Sequence, residues 1–209
     1  VSTQIESGVD EGRSVAIQND GKIVVAGFCF DNIQRKFSLV RYNTNGSLDN
    51  TFNSTGIVRT AIDTTDDAAY AMAIQSDGKI VVTGYSRTST YDYATVRYNT
   101  NGSLDNSFDS DGIVITSIGT TATSSDVPYA IAIQSDGKIV VSGASDYDFG
   151  IIRYLGDGSL DNSFDLDGIV KTDTDTLFTD ELITSIALQS DGKIVVAGHS
   201  KNSSSNYDF

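Results

Sequence analysis

The chain has 209 residues, 14 of them Lys or Arg and 28 Asp or Glu, for a net charge of −14. That balance argues against nucleic acid and anionic membrane surfaces as partners, because phosphate binding draws most of its energy from Lys and Arg; cations and basic surfaces stay open. The single cysteine, Cys29, excludes an intrachain disulfide, and no apolar run approaches the roughly 20 residues of a membrane helix, so no membrane insertion is expected.

Taken in chain order, the first element is Ser14-Val15-Ala16-Ile17, in which small and larger side chains alternate. Period two means a strand, and apolar residues on both faces mean burial on both. Asn19-Asp20-Gly21-Lys22 follows as a hairpin turn, where Gly supplies the positive φ. The next strand, Ile23-Val24-Val25, is continuously apolar, as suits two-sided burial. A third ends in Arg41-Tyr42, and the turn signal Asn45-Gly46 opens the block Gly46-Ser47-Leu48-Asp49-Asn50. Gly56-Ile57-Val58 begins a short fourth strand.

The whole series then returns. The hairpin glycines are Gly21, Gly78, Gly137 and Gly192, spaced 57, 59 and 55 residues apart. Arg41-Tyr42 recurs as Arg97-Tyr98 and Arg153-Tyr154, and Gly56-Ile57-Val58 as Gly112-Ile113-Val114 and Gly168-Ile169-Val170. No stretch reads as a helix. The expected fold is all-β: a β-propeller of four-stranded antiparallel blades, each about 56 residues long. A β-solenoid coil is usually shorter than this unit, and a lone sandwich of this size would bury little core. The units are read as approximately 1–58, 59–114, 115–170 and 171–209, the last one truncated. The expectation is therefore a partial propeller whose natural chain continues beyond both ends. Its open sheet faces would be apolar and open to self-association.

The blocks Ala130-Ile131-Ala132-Ile133-Gln134-Ser135-Asp136-Gly137-Lys138-Ile139-Val140-Val141 and Asn99-Thr100-Asn101-Gly102-Ser103-Leu104-Asp105-Asn106-Ser107-Phe108 resemble the delta-60 repeat, a β-propeller family of unknown function. The resemblance covers nearly the whole chain. It implies bacterial, often secreted or surface-attached proteins with many repeats, and no particular activity.

Antiparallel connectivity puts the strand 1–2 turns and strand 3–4 loops on one side, nearly identical among copies. The strand 2–3 loops (28–36, 85–92 and 199–208) and the links between units lie on the other side and vary. Divergent loops on a rigid scaffold are where binding residues belong, so a protein or glycan ligand is expected on the variable side. Its acids Asp63, Asp66, Asp67, Asp126, Asp173, Asp175, Asp180 and Glu181 are candidate binding residues, with a solvated face as the plain alternative.

No cofactor is expected apart from Ca²⁺, for which Asp109, Asp111, Asp165 and Asp167 are the candidates. They stand at alternate positions before Gly112 and Gly168, like the opening of a calcium loop, but no downstream Glu completes it. Catalysis is not expected: Cys29 aligns with Ser86, Ser145 and Ser200, and His199 has no triad partner. Arg41, Arg97 and Arg153 recur with Asp49, Asp105 and Asp161, which predicts an internal Arg–Asp pair or Arg-to-carbonyl tie in each unit. The function expected is a non-catalytic bacterial surface or secreted scaffold for interaction or adhesion. The alternatives are a head-to-tail structural subunit and a secreted carbohydrate-active enzyme.

Overall fold

The computed structural model describes residues 1–119, 124–173, 181–201 and 207–208. Its first sheet is formed by β1 (Asp10–Ile17), β2 (Ile23–Phe30), β3 (Arg35–Tyr42) and β4 (Ile57–Thr60), hydrogen-bonded in that order. The second contains β5 (Asp66–Ile74), β6 (Ile80–Arg87), β7 (Tyr91–Tyr98) and β8 (Ile113–Thr116). The third contains β9 (Asp126–Ile133), β10 (Ile139–Ser145), β11 (Asp148–Tyr154) and β12 (Ile169–Thr172). A three-stranded sheet follows: β13 (Leu182–Leu188), β14 (Ile194–Lys201) and β15 (Tyr207–Asp208). All neighbours are antiparallel, so the fold is the expected all-β array of propeller blades. The fourth strands end at Thr60, Thr116 and Thr172, slightly beyond the unit boundaries read from the sequence.

The sheets stack face to face, which is why their strands are apolar on both sides. Ile80 and Val82 join Phe37, Leu39, Phe52 and Val58 of the first sheet in one core cluster. Val81, between them in sequence, joins Ile139, Val141 and Ile152 of the third sheet in another. Full burial of a side chain of this size is worth about 1.5–3 kcal/mol, and neither sheet can bury its face alone. Where no sheet covers the first one, Val15 and Ile17 are 67% and 70% exposed.

Polar ties repeat with the packing. The Tyr98 hydroxyl donates to Thr60 Oγ1 at 2.7 Å, and Tyr154 and Thr116 share a 2.7 Å bond. Tyr42 makes the same bond to Thr3 at 2.8 Å. The segment Val1-Ser2-Thr3 thus stands to the first sheet as Val58-Arg59-Thr60 stands to the second.

Candidate functional site

The recurrent arginines are tied within and between sheets. Arg41 Nε donates to Asp49 at 2.8 Å, and Nη1 reaches the Thr100 carbonyl of the next sheet at 2.6 Å. Arg97 repeats this with Asp105 at 2.7 Å and the Gly156 carbonyl at 2.5 Å. Each guanidinium lies over a phenylalanine, Phe52 at 4.4 Å and Phe108 at 4.7 Å. Lys22 and Lys79 complete the clusters, 3.2 and 3.0 Å from the same carboxylates. Burial alone would raise the Asp105 carboxyl, but the Ser107 and Lys79 hydrogen bonds and the Arg97 charge hold it well below the usual range. Both expected ties, Arg–Asp and Arg–carbonyl, are therefore present, and they are structural. Tyr98 and Phe108 are fully buried, as blade core rather than a stacking platform.

The variable-side acids do not form one exposed surface. Asp67, Asp126 and Glu181 are 0%, 0% and 1% exposed, so these three lie inside the protein rather than on an open face. Asp67 Oδ2 accepts the Ile62 and Asp63 amides at 2.8 and 3.1 Å; Asp126 Oδ2 accepts those of Ile118 and Gly119 at 2.8 and 2.9 Å. Asp10 holds the Ile5 amide the same way at 2.6 Å. These carboxylates fasten the link between units, where backbone amides would otherwise be buried unpaired. Their recurrence was legible: Asp10, Asp67, Asp126 and Glu181 each precede a hairpin glycine by the same interval.

Across the sheet, Ser86 donates to Asp67 Oδ1 at 2.6 Å, and Cys29 takes the equivalent place opposite Asp10. Burial, helped by the Glu6 charge, pushes the Cys29 thiol up to about 11, so it is a packing residue and no nucleophile at neutral pH. Of the other acids, Asp63 accepts the Thr64 amide at 2.5 Å and Asp66 pairs with Arg35. Asp173 is exposed, and Asp175 and Asp180 lie outside the described residues.

In the candidate calcium turn the second aspartate of each pair is partly engaged by the backbone. Asp111 and Asp167 Oδ1 accept the Ile113 and Ile169 amides, each at 2.9 Å. Asp109 and Asp165 sit at φ 46° and 48°, and Asn53 in the first sheet takes φ 47°. There Thr55 Oγ1 receives the Ile57 amide at 3.2 Å, so the same turn closes without any acid. Among the described residues no group of three or more His, Cys, Asp or Glu side chains could hold a metal.

A feature missed in the sequence organises the variable side. Strands β1, β5, β9 and β13 each carry a bulge at one position, and Arg13, Tyr70, Tyr129 and Thr184 are the extra residues. Opposite stand Gly27, Gly84, Gly143 and Gly198, where a Cβ would overlap the carbonyl oxygens of Glu11, Ala68, Val127 and Leu182. Bulges re-aim side chains, and here they bring them together across sheets. The Arg13 guanidinium lies 5.3 Å from the Tyr70 ring centre, and Tyr70 lies 5.1 Å from Tyr129. Tyr85 sits 5.9 Å from Tyr70 and meets Tyr91 edge-on at 4.9 Å.

Beside this row lies a cleft of about 590 Å³ between the first two sheets, walled by Val9, Phe28, Phe30 and Ile33 and rimmed by Arg35, Asp66 and Arg87. Arg35 Nη1 donates to Asp66 at 3.1 Å and to the Tyr85 hydroxyl at 3.0 Å; Tyr85 also donates to Asp66 at 3.1 Å. The β2–β3 loop, expected to span 28–36, is mostly strand and shrinks to a tight turn. Asp31 Oδ1 accepts the Ile33 and Gln34 amides, each at 2.9 Å, and Lys36 pairs with Oδ2 at 2.6 Å. The Lys36 and amide bonds pull the Asp31 carboxyl down to about 2. His199 on β14 stands opposite Leu182 of β13.

Repeated antiparallel sheets stacked face to face define a β-propeller fold. The chain belongs to the family described as domain of unknown function (DUF5122) beta-propeller, whose model matches residues 18–52, 75–108, 134–164 and 189–209. No curated protein matches the sequence. Among solved structures, the periplasmic gluconolactonase PpgL of Pseudomonas aeruginosa superposes with a TM-score of 0.56 at 13% identity, over 98% of this chain and 58% of that one. A virginiamycin B lyase from Staphylococcus aureus gives 0.46 at 14%, over 94% and 54%. A protein of unknown function from Bacteroides caccae gives 0.47 at 15%, over 90% and 56%. The chain thus spans a little over half the length of these structures, and the likeness is one of fold alone.

Proposed function

We propose that this chain is part of a non-catalytic binding propeller, carried by a secreted or surface-attached bacterial protein and holding its ligand on the divergent-loop side. The observation that carries the reading is the cleft of about 590 Å³ beside the aromatic row. Its size suits a small ligand or a short stretch of glycan or peptide, and its apolar wall with few polar groups is what such sites need. The likeness of the repeat blocks to the delta-60 repeat supports the bacterial surface setting. For catalysis the cleft offers little: of its two carboxylates, Glu11 is paired with Arg13, and Asp66 is committed to Arg35 and Tyr85.

The test is a binding screen of the chain against soluble glycans and peptides, repeated with the 31–34 and 88–90 turns exchanged for those of the third unit. Ligands that bind the parent and not the exchanged chain support the reading. Binding that survives the exchange, or that disappears only when the repeated turns on the opposite side are altered, overturns it.

A further inference from the structure

We propose that the cleft takes a ring-bearing monocarboxylate, with the ring on the apolar wall and the carboxylate on Arg87. This deepens the binding reading above and rests on it.

The first observation is where the arginines are. The chain carries net charge −14 and has seven arginines. Arg41, Arg97 and Arg153 are bound to aspartates inside their sheets. Arg59 holds Glu6 at 2.8 Å and the Ile5 carbonyl at 2.5 Å. The three that remain, Arg13, Arg35 and Arg87, all gather around this cleft: Arg35 and Arg87 line it, and Arg13 lies 6.0 Å from the ring of its wall residue Phe28.

The second observation is how their charges are met. Arg13 pairs with Glu11 at 2.9 Å, and Arg35 with Asp66 at 3.1 Å. Arg87 has no carboxylate partner among the described residues. Its guanidinium lies over Tyr91 at 4.9 Å, and the Thr65 hydroxyl donates to its backbone carbonyl. A guanidinium stacked on a ring keeps its in-plane N–H groups for an oxyanion, which it can grip with two parallel bonds. Glu11 and Asp66 also line the cleft and repel a ligand with several charges, so one carboxylate fits and a polyanion does not.

The third observation is the wall. Phe28, Phe30, Val9 and Ile33 offer apolar surface to the face of a ring. Ile33 is 84% exposed on a turn already fixed by Asp31, so little ordering remains to oppose binding. A sugar acid and an aromatic acid share this chemistry, and a comparison of the two identifies the source.

The experiment measures binding of the whole chain to a disaccharide with one glucuronate, to its neutral methyl ester, and to phenylacetate. We expect the acid to bind about tenfold more tightly than its ester, as one charge-assisted bond supplies. Arg87→Gln removes that preference, and Arg87→Lys restores part of it. Tighter binding of phenylacetate than of the sugar acid assigns the site to aromatic acids instead. Equal binding of acid and ester by the parent, a preference that survives Arg87→Gln, or no binding of any of the three overturns the proposal. If another ligand is then found whose binding is lost on exchanging the 31–34 and 88–90 turns, the broader binding reading stands without it. Arg87 is exposed, so its variants leave the fold intact.

Discussion

Arg97 reaches out of its own sheet to the Gly156 carbonyl of the next, whereas among the described residues Arg153 bonds only within its own. Both hold an aspartate at 2.7 Å, a serine hydroxyl at 3.1 or 3.3 Å, and a phenylalanine ring at 4.7 or 4.5 Å. Around them the surroundings differ. Phe108 is fully buried, and the Asp109 amide donates to Asp157 at 2.8 Å. Phe164 is only half-buried, the Asp165 amide makes no such bond among the described residues, and the Arg153 side chain is 15% exposed against 5% for Arg97. The Arg–Asp–Phe cluster is therefore complete within one unit, and the neighbour adds the burial and the carbonyl. Stability in such an array is a sum of unit terms and junction terms, and this pair of arginines separates the two.

Truncation of the phenylalanines should give the largest contrast. Phe108→Ala should cost about 3–5 kcal/mol, the usual loss for a buried ring, and Phe164→Ala well under half of that. Equal costs in urea unfolding would mean that the junction adds nothing. Arg97→Ala should cost about 3 kcal/mol by leaving Asp105 buried without its guanidinium partner, and Arg153→Ala about 1 kcal/mol. Neither should alter ligand binding on the opposite side.

Acid should sharpen the same contrast. Folded-state carboxyls held low by their partners, such as Asp49, Asp105 and Asp161, contribute stability that is whole above the unfolded value of about 4 and fades as the pH falls below it. Asp67, raised by burial against the Ser86 bond, runs the other way and favours folding on protonation. Net loss below pH 4 should shrink in the Asp105→Asn variant, measured by denaturant midpoint against pH. The smallest effect concerns Ca²⁺. The first sheet closes its turn with Asn53 and Thr55, so melting temperatures with Ca²⁺ and with chelator should agree. A shift abolished by Asp167→Asn would give the acidic turns a role that the first lacks.

Much of the architecture could be read from residue order, because a strand between two sheets must be apolar on both faces, as Ile80-Val81-Val82 is. The Arg–Asp pairing was legible too, since a charge recurring inside apolar strands needs a partner. The buried acids were hidden by context: Asp67 and Asp126 sit among loop residues of differing length, and Glu181 changes the residue type. Their constant offset from the hairpin glycine was the available signal. The bulges left a fainter trace in the second-strand glycines. Arg13 and Tyr70 could not be placed beside each other from sequence, because that contact depends on how successive sheets are juxtaposed. Arg87 looked like part of a loop, although β6 runs as far as that residue.

The crest of each bulge has a consequence of its own. Its shape is imposed by one carbonyl crowding a glycine on the adjoining strand, so the backbone makes no demand on the side chain it thrusts forward. Arginine, tyrosine, tyrosine and threonine fill the four crests in turn. Nearly uniform building blocks can in this way spell out a non-uniform inscription, one letter per block.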